Sequence, residues 1–378
     1  MQESIGSRIL DRPAWLQEFQ DGWPRFSAFA RMVVLMLCVT SCTDDAAYRA
    51  WVEGRIQSSV AADTAETAVI AMMWRQQLCD RNHACLASET KRKLFELAHQ
   101  RAADQPALLV LLADIGYPYA RPGENITRWK EIAQADPRNA LPLAVIAAQQ
   151  WNNGDHEAAR ATLQDSVGKP DFNDYLPSIS AAIERSVAAS PPTRQELAPC
   201  SEIGEEFTTE PGVAQRVGAA TSEVISVVLM PYIGDILTLC KATENDRVRR
   251  EGCASLGTNM DERATNLVTR NTGLTLLLSA TDDIAAQKQY MQRQADNLDE
   301  LLRTLWWVGS PSSHVREEAT ALWLDEFARS GEFKTAAALL KKFGDPPHES
   351  RATREARFDE TMAKGRACYA RRFKATGA

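Results

Sequence analysis

Apolar residues recur along this chain at intervals of three and four, and almost nowhere at intervals of two. Trp51, Val52 and Ile56 share one face of a first stretch; Ala68, Val69, Met72, Met73 and Gln76 continue on a second; Leu94, Phe95, Leu97 and Ala98 mark a third. That spacing belongs to amphipathic helices buried on one side. Alternating Val/Ile/Tyr runs bounded by Asn-Gly or Asp-Gly turns, which would announce strands, are nearly absent. The chain is therefore expected to be all-α, with about a dozen helices or more between its start and stop signals. Its 378 residues, 44% apolar and 25% charged, suffice for one large or two ordinary domains with a true core.

Ahead of the first helical stretch, residues 32–40 (Met-Val-Val-Leu-Met-Leu-Cys-Val-Thr) form an uncharged run. Arg25 and Arg31 precede it, and Ser41-Cys42-Thr43-Asp44-Asp45 close it. A basic flank, a short apolar stretch and small residues at its exit make a secretory signal. The run falls short of the roughly 18–20 residues that span a bilayer. The alternatives are an ordinary cleaved signal or a buried apolar strand. Val39-Thr40-Ser41-Cys42 resembles the lipobox of bacterial lipoproteins. The resemblance implies that Cys42 carries a diacylglycerol, that the chain is cut just before it, and that acyl chains hold the body on a membrane. The next residue is Thr43 rather than Asp, which by the same resemblance implies the outer membrane, facing the periplasm. The upstream stretch, residues 1–31, contains Glu3, Asp11, Glu18 and Asp21 and is long and acidic for a leader. It points to a start codon further along, although Met32 itself would leave no basic flank.

The formal net charge is −7, and residues 1–41 hold four basic and four acidic side chains, so residues 42–378 keep the whole of it. A mildly acidic body argues against non-specific nucleic-acid binding, which needs clustered Lys and Arg. Of the eight Cys, Cys38 would leave with the leader and Cys42 is the lipid site. Six remain: Cys79, Cys85, Cys200, Cys240, Cys253 and Cys368. An even number behind an export signal implies disulfides. Cys79 and Cys85 flank one polar turn and Cys240 and Cys253 another, which leaves Cys200 with Cys368. Such closures are worth about 2–5 kcal/mol by chain entropy. The rival for Cys79, His83 and Cys85 is a zinc site, but no second Cys/His cluster supplies a fourth ligand. Neither metal nor cofactor is expected.

Asp136-Pro137-Arg138-Asn139 opens a stretch through Leu143, Ile146, Ala147 and Trp151. Asn153-Gly154-Asp155 then turns, and a second stretch carries Ala158, Ala159 and Leu163. From Glu317 to Phe343 the pattern recurs with Trp323, Leu324 and Phe327, the turn Ser330-Gly331-Glu332, then Ala336 and Leu340. Both resemble tetratricopeptide repeats, in which small residues let two helices approach closely. The resemblance covers two hairpins, near 136–167 and 317–343, without the unbroken period of a true array. It implies stacked, degenerate, α-solenoid-like hairpins, here clipped by disulfides. The alternative is that glycine-turned hairpins arise in any helical bundle. Pro191, Pro192, Pro199 and Pro211 forbid a continuous helix between the halves. The expected organisation is an extension and signal over 1–41, a helical domain over 42–190, a Pro-rich linker over 191–211 and a second helical domain over 212–378. Residues 213–239 are unusually apolar and are expected as a buried helix pair, since Glu223, Pro231 and Asp235 are costly in lipid.

No Gly-x-Ser-x-Gly elbow, His-Glu-x-x-His pair or Gly-rich phosphate loop is present. His83, His99, His156, His314 and His348 stand singly, and no catalytic residue is assigned. The aromatic residues are the better lead: Trp306-Trp307 before Val308-Gly309-Ser310-Pro311, and Tyr117, Tyr119 and Trp129 around an irregular loop. Core packing is the ordinary fate of such residues. The leading expectation is a membrane-tethered helical scaffold or assembly factor that binds another envelope protein. The second is an immunity-type lipoprotein that blocks a periplasmic toxin, a role an acidic, disulfide-clipped body suits. The third is an enzyme whose carboxylate site no motif marks.

Overall fold

The computed structural model describes residues 46–61, 64–79, 89–116, 124–193, 196, 211–227, 231–241, 246–310, 312–347, 350 and 353. The leader with Cys42, the residues Cys85, Cys200, Cys368, Tyr117 and Tyr119, and positions 197–210 lie outside them, as does the side chain of Cys79. Fifteen helices make up the described chain: α1 (Ala46–Ala61), α2 (Ala65–Cys79), α3 (Glu89–Arg101), α4 (Pro106–Gly116), α5 (Glu124–Ala135), α6 (Ala140–Asn152), α7 (His156–Val167), α8 (Leu176–Ala188), α9 (Val213–Val227), α10 (Pro231–Leu239), α11 (Arg247–Arg263), α12 (Leu267–Ala280), α13 (Ile284–Val308), α14 (Ser313–Ser330) and α15 (Glu332–Phe343). The protein is all-helical; among the described residues there is no strand, and one isolated parallel bridge joins Asn139 to Asp171.

Helix starts follow from local chemistry. A side-chain oxygen before the first turn accepts an orphan backbone N–H: Asn139 from Leu141, Asp155 from Ala158, Asp246 from Arg249, Asn266 from Thr269, Asp283 from Ala285 and Ser312 from Val315. The start of α9 is capped from outside instead. Glu317 of α14 accepts the N–H groups of Ala214 and Gln215 at 2.7 and 3.1 Å, which seats α9 on α14.

Many helices pack on the next in sequence, most closely α6 with α7 and α11 with α12. Connections across the sequence close the body: α6 meets α10, α7 meets α11, and α8 packs on α2, α4, α9 and α14. One hydrophobic cluster therefore runs from Trp51 and Trp74 through Trp129, Leu141 and Leu163 to Leu267, Trp323 and Leu339. Of the stripes anticipated in the first helices, Trp51, Val52, Ile56, Ala68, Val69, Met72 and Met73 are all buried, and in α2 Ile70, Ala71 and Trp74 are buried with them, so that stretch is enclosed on every side.

Two features set the middle of this core. Cys240 and Cys253 form a disulfide, as their flanking of a polar turn led us to expect, and both are buried. Closing a loop of this size removes about 3 kcal/mol of freedom from the unfolded chain. Nearby, Arg249 is only 6% exposed; it donates to the Leu239 carbonyl at 3.1 Å and lies 4.0 Å above the Trp151 ring. The second feature is the crossing of α11 over α12, where Gly257 and Gly273 meet. A Cβ added to Gly273 would stand 2.6 Å from the Gly257 carbonyl oxygen, and one added to Gly257 would stand 2.7 Å from that of Gly273.

Helix α12 is enclosed about as fully as α6, each burying nine residues. It buries Leu267, Val268, Thr269, Asn271, Thr272, Gly273, Leu274, Thr275 and Leu276 in succession. Within residues 213–239 the side chains of 222–231 lie outside the described residues. Val217, Ala220, Tyr232, Ile233, Ile236 and Leu239 are buried, but Val213 is 54% exposed. No described helix is long and apolar enough to cross a membrane.

Candidate functional site

The aromatic residues singled out in the sequence part company in the structure. Trp129 is 1% exposed, its ring edge-on to Tyr232 at 5.6 Å, so it belongs to the core. Trp323 and Phe327 stack at 5.9 Å and are buried as well. Trp306 and Trp307, at the end of α13, are only half-buried. Their rings meet edge-to-face at 4.6 Å, and Trp307 stacks on Phe343 at 5.4 Å. The Trp307 indole N–H donates to the Gly344 carbonyl at 3.0 Å. Gly344 has φ +80, a conformation that a Cβ would strain, and through it the chain turns after α15 to present that carbonyl. Lys342 extends the edge with its ammonium 5.4 Å from the Phe343 ring and an ion pair to Glu318 at 2.6 Å. Packing thus fixes Trp307, and Trp306 against it, at the surface with both rings only partly covered.

A second cluster is polar and lies where α11, α12 and α13 meet. Asp261, 3% exposed, pairs with Arg293 at 2.5 Å. Burial pushes its carboxyl above the ordinary value, against the pull of Arg293 and Arg270. Arg270 lies 3.7 Å from the centre of the Phe333 ring, and burial lowers its guanidinium. Gln294 donates to the Asn271 carbonyl and to Thr275, and Asn297 donates to the Asn271 side chain, each at 3.0 Å. Asp261, Glu262 and Glu300 face Arg270 and Arg293 here, and the cluster acts as a polar seam between helices.

The histidines are dispersed. His99 bonds Glu131 at 2.7 Å, His156 lies against Trp151 at 4.1 Å and His314 is exposed. His83 and His348 fall outside the described residues. Among the described residues no group of three or more His, Cys, Asp or Glu side chains is placed to hold a metal ion.

Sequence reasoning missed a third cluster, at a junction of turns. Asn139 holds the connection that follows α7: its side-chain oxygen accepts the Asn173 N–H at 3.0 Å, and its amide donates to the Asn173 carbonyl and the Tyr175 hydroxyl at 2.9 and 2.7 Å. The Tyr175 hydroxyl donates in turn to Asp136 at 2.5 Å. Tyr175 is the one described non-glycine residue with positive φ, +58, a strain that these bonds sustain. Beside it Asp174, 1% exposed, accepts from four donors: the Thr265 N–H and hydroxyl, the Asn266 amide and the Leu176 N–H. Glu332, 5% exposed, accepts the Leu267 N–H at 2.6 Å. Asn173-Asp174 ahead of Leu176-Pro177 is a helix-start signal, but no sequence pattern marks partners some ninety residues away.

No family model, no curated protein and no solved structure matches this chain.

Proposed function

We propose that the chain is a lipid-anchored helical scaffold of the bacterial envelope, held on the outer membrane through Cys42 and binding another envelope protein in the periplasm. The observation that carries the binding half is the Trp306–Trp307 edge, in which Phe343 and Gly344 fix Trp307, Trp307 meets Trp306, and both rings stay partly exposed. Rigid, partly exposed tryptophans are the residue type that most often dominates a protein interface. Support for export comes from the signal-like run ahead of Cys42 and from the Cys240–Cys253 bond, which persists in oxidising compartments.

The hairpins α6–α7 and α14–α15 are read as degenerate tetratricopeptide-type units. In support, Ala147, Ala159 and Ala336, the small residues of the two motifs, are all buried, and Gly154 and Gly331 make the turns with φ +84 and +81.

The test has two arms on the full-length protein. Cys42→Ser is expected to abolish palmitate labelling and release the body from membranes; unchanged labelling would overturn the anchor. A photoreactive phenylalanine placed at Trp306 in the native envelope is expected to give one adduct of discrete mass. That adduct should weaken at least tenfold, a loss of about 1.4 kcal/mol in binding, when Trp307 is changed to Ala. A diffuse smear insensitive to Trp307→Ala would sink the docking edge.

A further inference from the structure

We propose that Asp174 and Glu332 form a proton-held latch, which ties the last hairpin, α14–α15, to the rest of the body and loosens when both carboxyls ionise. They converge from different parts of the chain on one short turn, Ala264–Leu267, between α11 and α12. Asp174 arrives from the connection between α7 and α8. Its Oδ1 accepts the Thr265 hydroxyl at 2.7 Å and the Leu176 N–H at 3.2 Å; its Oδ2 accepts the Thr265 N–H at 3.1 Å and the Asn266 amide at 2.7 Å. Glu332 arrives as the first residue of α15. Its Oε2 accepts the Leu267 N–H at 2.6 Å, while its own N–H donates to the Thr265 carbonyl at 2.8 Å. Gly331 presses the same place: a Cβ there would stand 2.6–2.7 Å from Thr265 Cβ and its carbonyl oxygen. This turn is therefore where the hairpin is seated, and both carboxyls are inside it.

Among the described residues neither carboxyl has a cation paired with it. Of the charged and titratable groups on the surrounding elements, Asp136 at the end of α5 and Tyr175 bond each other, and Arg263 of α11 bonds the Pro170 carbonyl. Arg270 of α12 lies on Phe333, Glu326 of α14 bonds Ser330, and Lys334 of α15 is exposed. None of them pairs with Asp174 or Glu332.

Two unpaired negative charges cannot share a dry interior cheaply, so one carboxyl keeps its proton. Asp174, with four donors, is the better host for charge, and Glu332, with one, is the better host for the proton. Burial first, and then the Asp174 charge, push Glu332 from its ordinary 4.5 up to about 7; burial pushes Asp174 upward as well, against its hydrogen bonds. A group whose pKa is raised by folding stabilises the fold at low pH and loses that contribution as pH rises from the unfolded to the folded value. Between about pH 4.5 and 7, then, rising pH weakens the seat of α15, which is the reverse of ordinary acid unfolding.

Hydrogen exchange of the full chain at pH 5.5 and 8.0, corrected for intrinsic rates, tests this. In the wild type, amides of α14–α15 are expected to open about twentyfold more readily at the higher pH, while α6–α7 stays unchanged. Glu332→Gln, which keeps the acceptor for Leu267 and cannot ionise, should remove that difference. Equal protection of α14–α15 at the two pH values in the wild type would overturn the latch, whether or not the variant folds. So would a change spread evenly over all helices, or one that survives in Glu332→Gln.

Discussion

Gly273→Ala is expected to destabilise the protein by about 2–3 kcal/mol, although the same change in an exposed helix interior gains about 1 kcal/mol. The sign rests on geometry. At the α11–α12 crossing the new methyl would meet the Gly257 carbonyl oxygen at 2.6 Å, the Asp261 nitrogen at 2.7 Å and Met260 Cβ at 2.8 Å. Two of these are backbone atoms and cannot turn aside as the tip of a side chain can, so the helices must separate. Separation would also loosen Leu256, Met260 and Leu276, all buried at that crossing. Gly54, in the middle of α1, is the control, because a Cβ there meets nothing within 4 Å. Gly54→Ala should gain about 0.5–1 kcal/mol, the propensity effect alone. Urea unfolding of the two variants beside the wild type reads both signs; a gain at Gly273 would show that the helices do not touch there.

That crossing marks how far the sequence could be read. Helix α1 was legible because one side of it meets water: Trp51, Val52 and Ile56 lie on a single face and all three are buried, while Gln57 and Ser58 are exposed. The Asn153-Gly154-Asp155 turn and the Cys240–Cys253 clip were legible because their signals are local. Helix α12 was not. Its segment, Leu-Val-Thr-Arg-Asn-Thr-Gly-Leu-Thr, reads as mixed and polar, yet the Thr272 and Thr275 hydroxyls donate to carbonyls one turn back at 2.8 and 3.0 Å. A threonine satisfied in that way buries almost as an apolar residue does. Trp129 and Trp306 illustrate the same limit for the candidate site. Each is a tryptophan near a helix end or loop, and only tertiary packing puts the first inside and leaves the second at the surface. Asp174 and Glu332 look like two of the chain's fifty ordinary carboxylates until the fold brings them to one turn.

The cost of losing that turn follows from its donors. Asp174→Ala is expected to destabilise the protein by about 4 kcal/mol at pH 7, as the sum of buried donors left without an acceptor at 1–3 kcal/mol each. The N–H groups of Thr265 and Leu176 lose their acceptor outright, whereas the Asn266 amide keeps its bond to Thr269 at 2.9 Å. A truncated side chain also leaves space at a residue that is 1% exposed. Relief of the charge facing Glu332 offsets part of this, because Glu332 can then ionise with less repulsion. Asp174→Asn separates the contributions. Its oxygen can still accept the Thr265 hydroxyl and the Leu176 N–H, but its amide then faces two donors, the Thr265 N–H and the Asn266 amide. A loss of about 2 kcal/mol, roughly half that of the alanine, is expected from the two unmade bonds. Asp165→Ala, on the exposed face of α7, should stay within about 0.5 kcal/mol. Urea midpoints at constant m-value measure all three. An Asp174→Ala protein as stable as Asp165→Ala would mean that Thr265 and Leu176 find other acceptors, and that the 264–267 turn and the start of α8 are not held at this carboxylate.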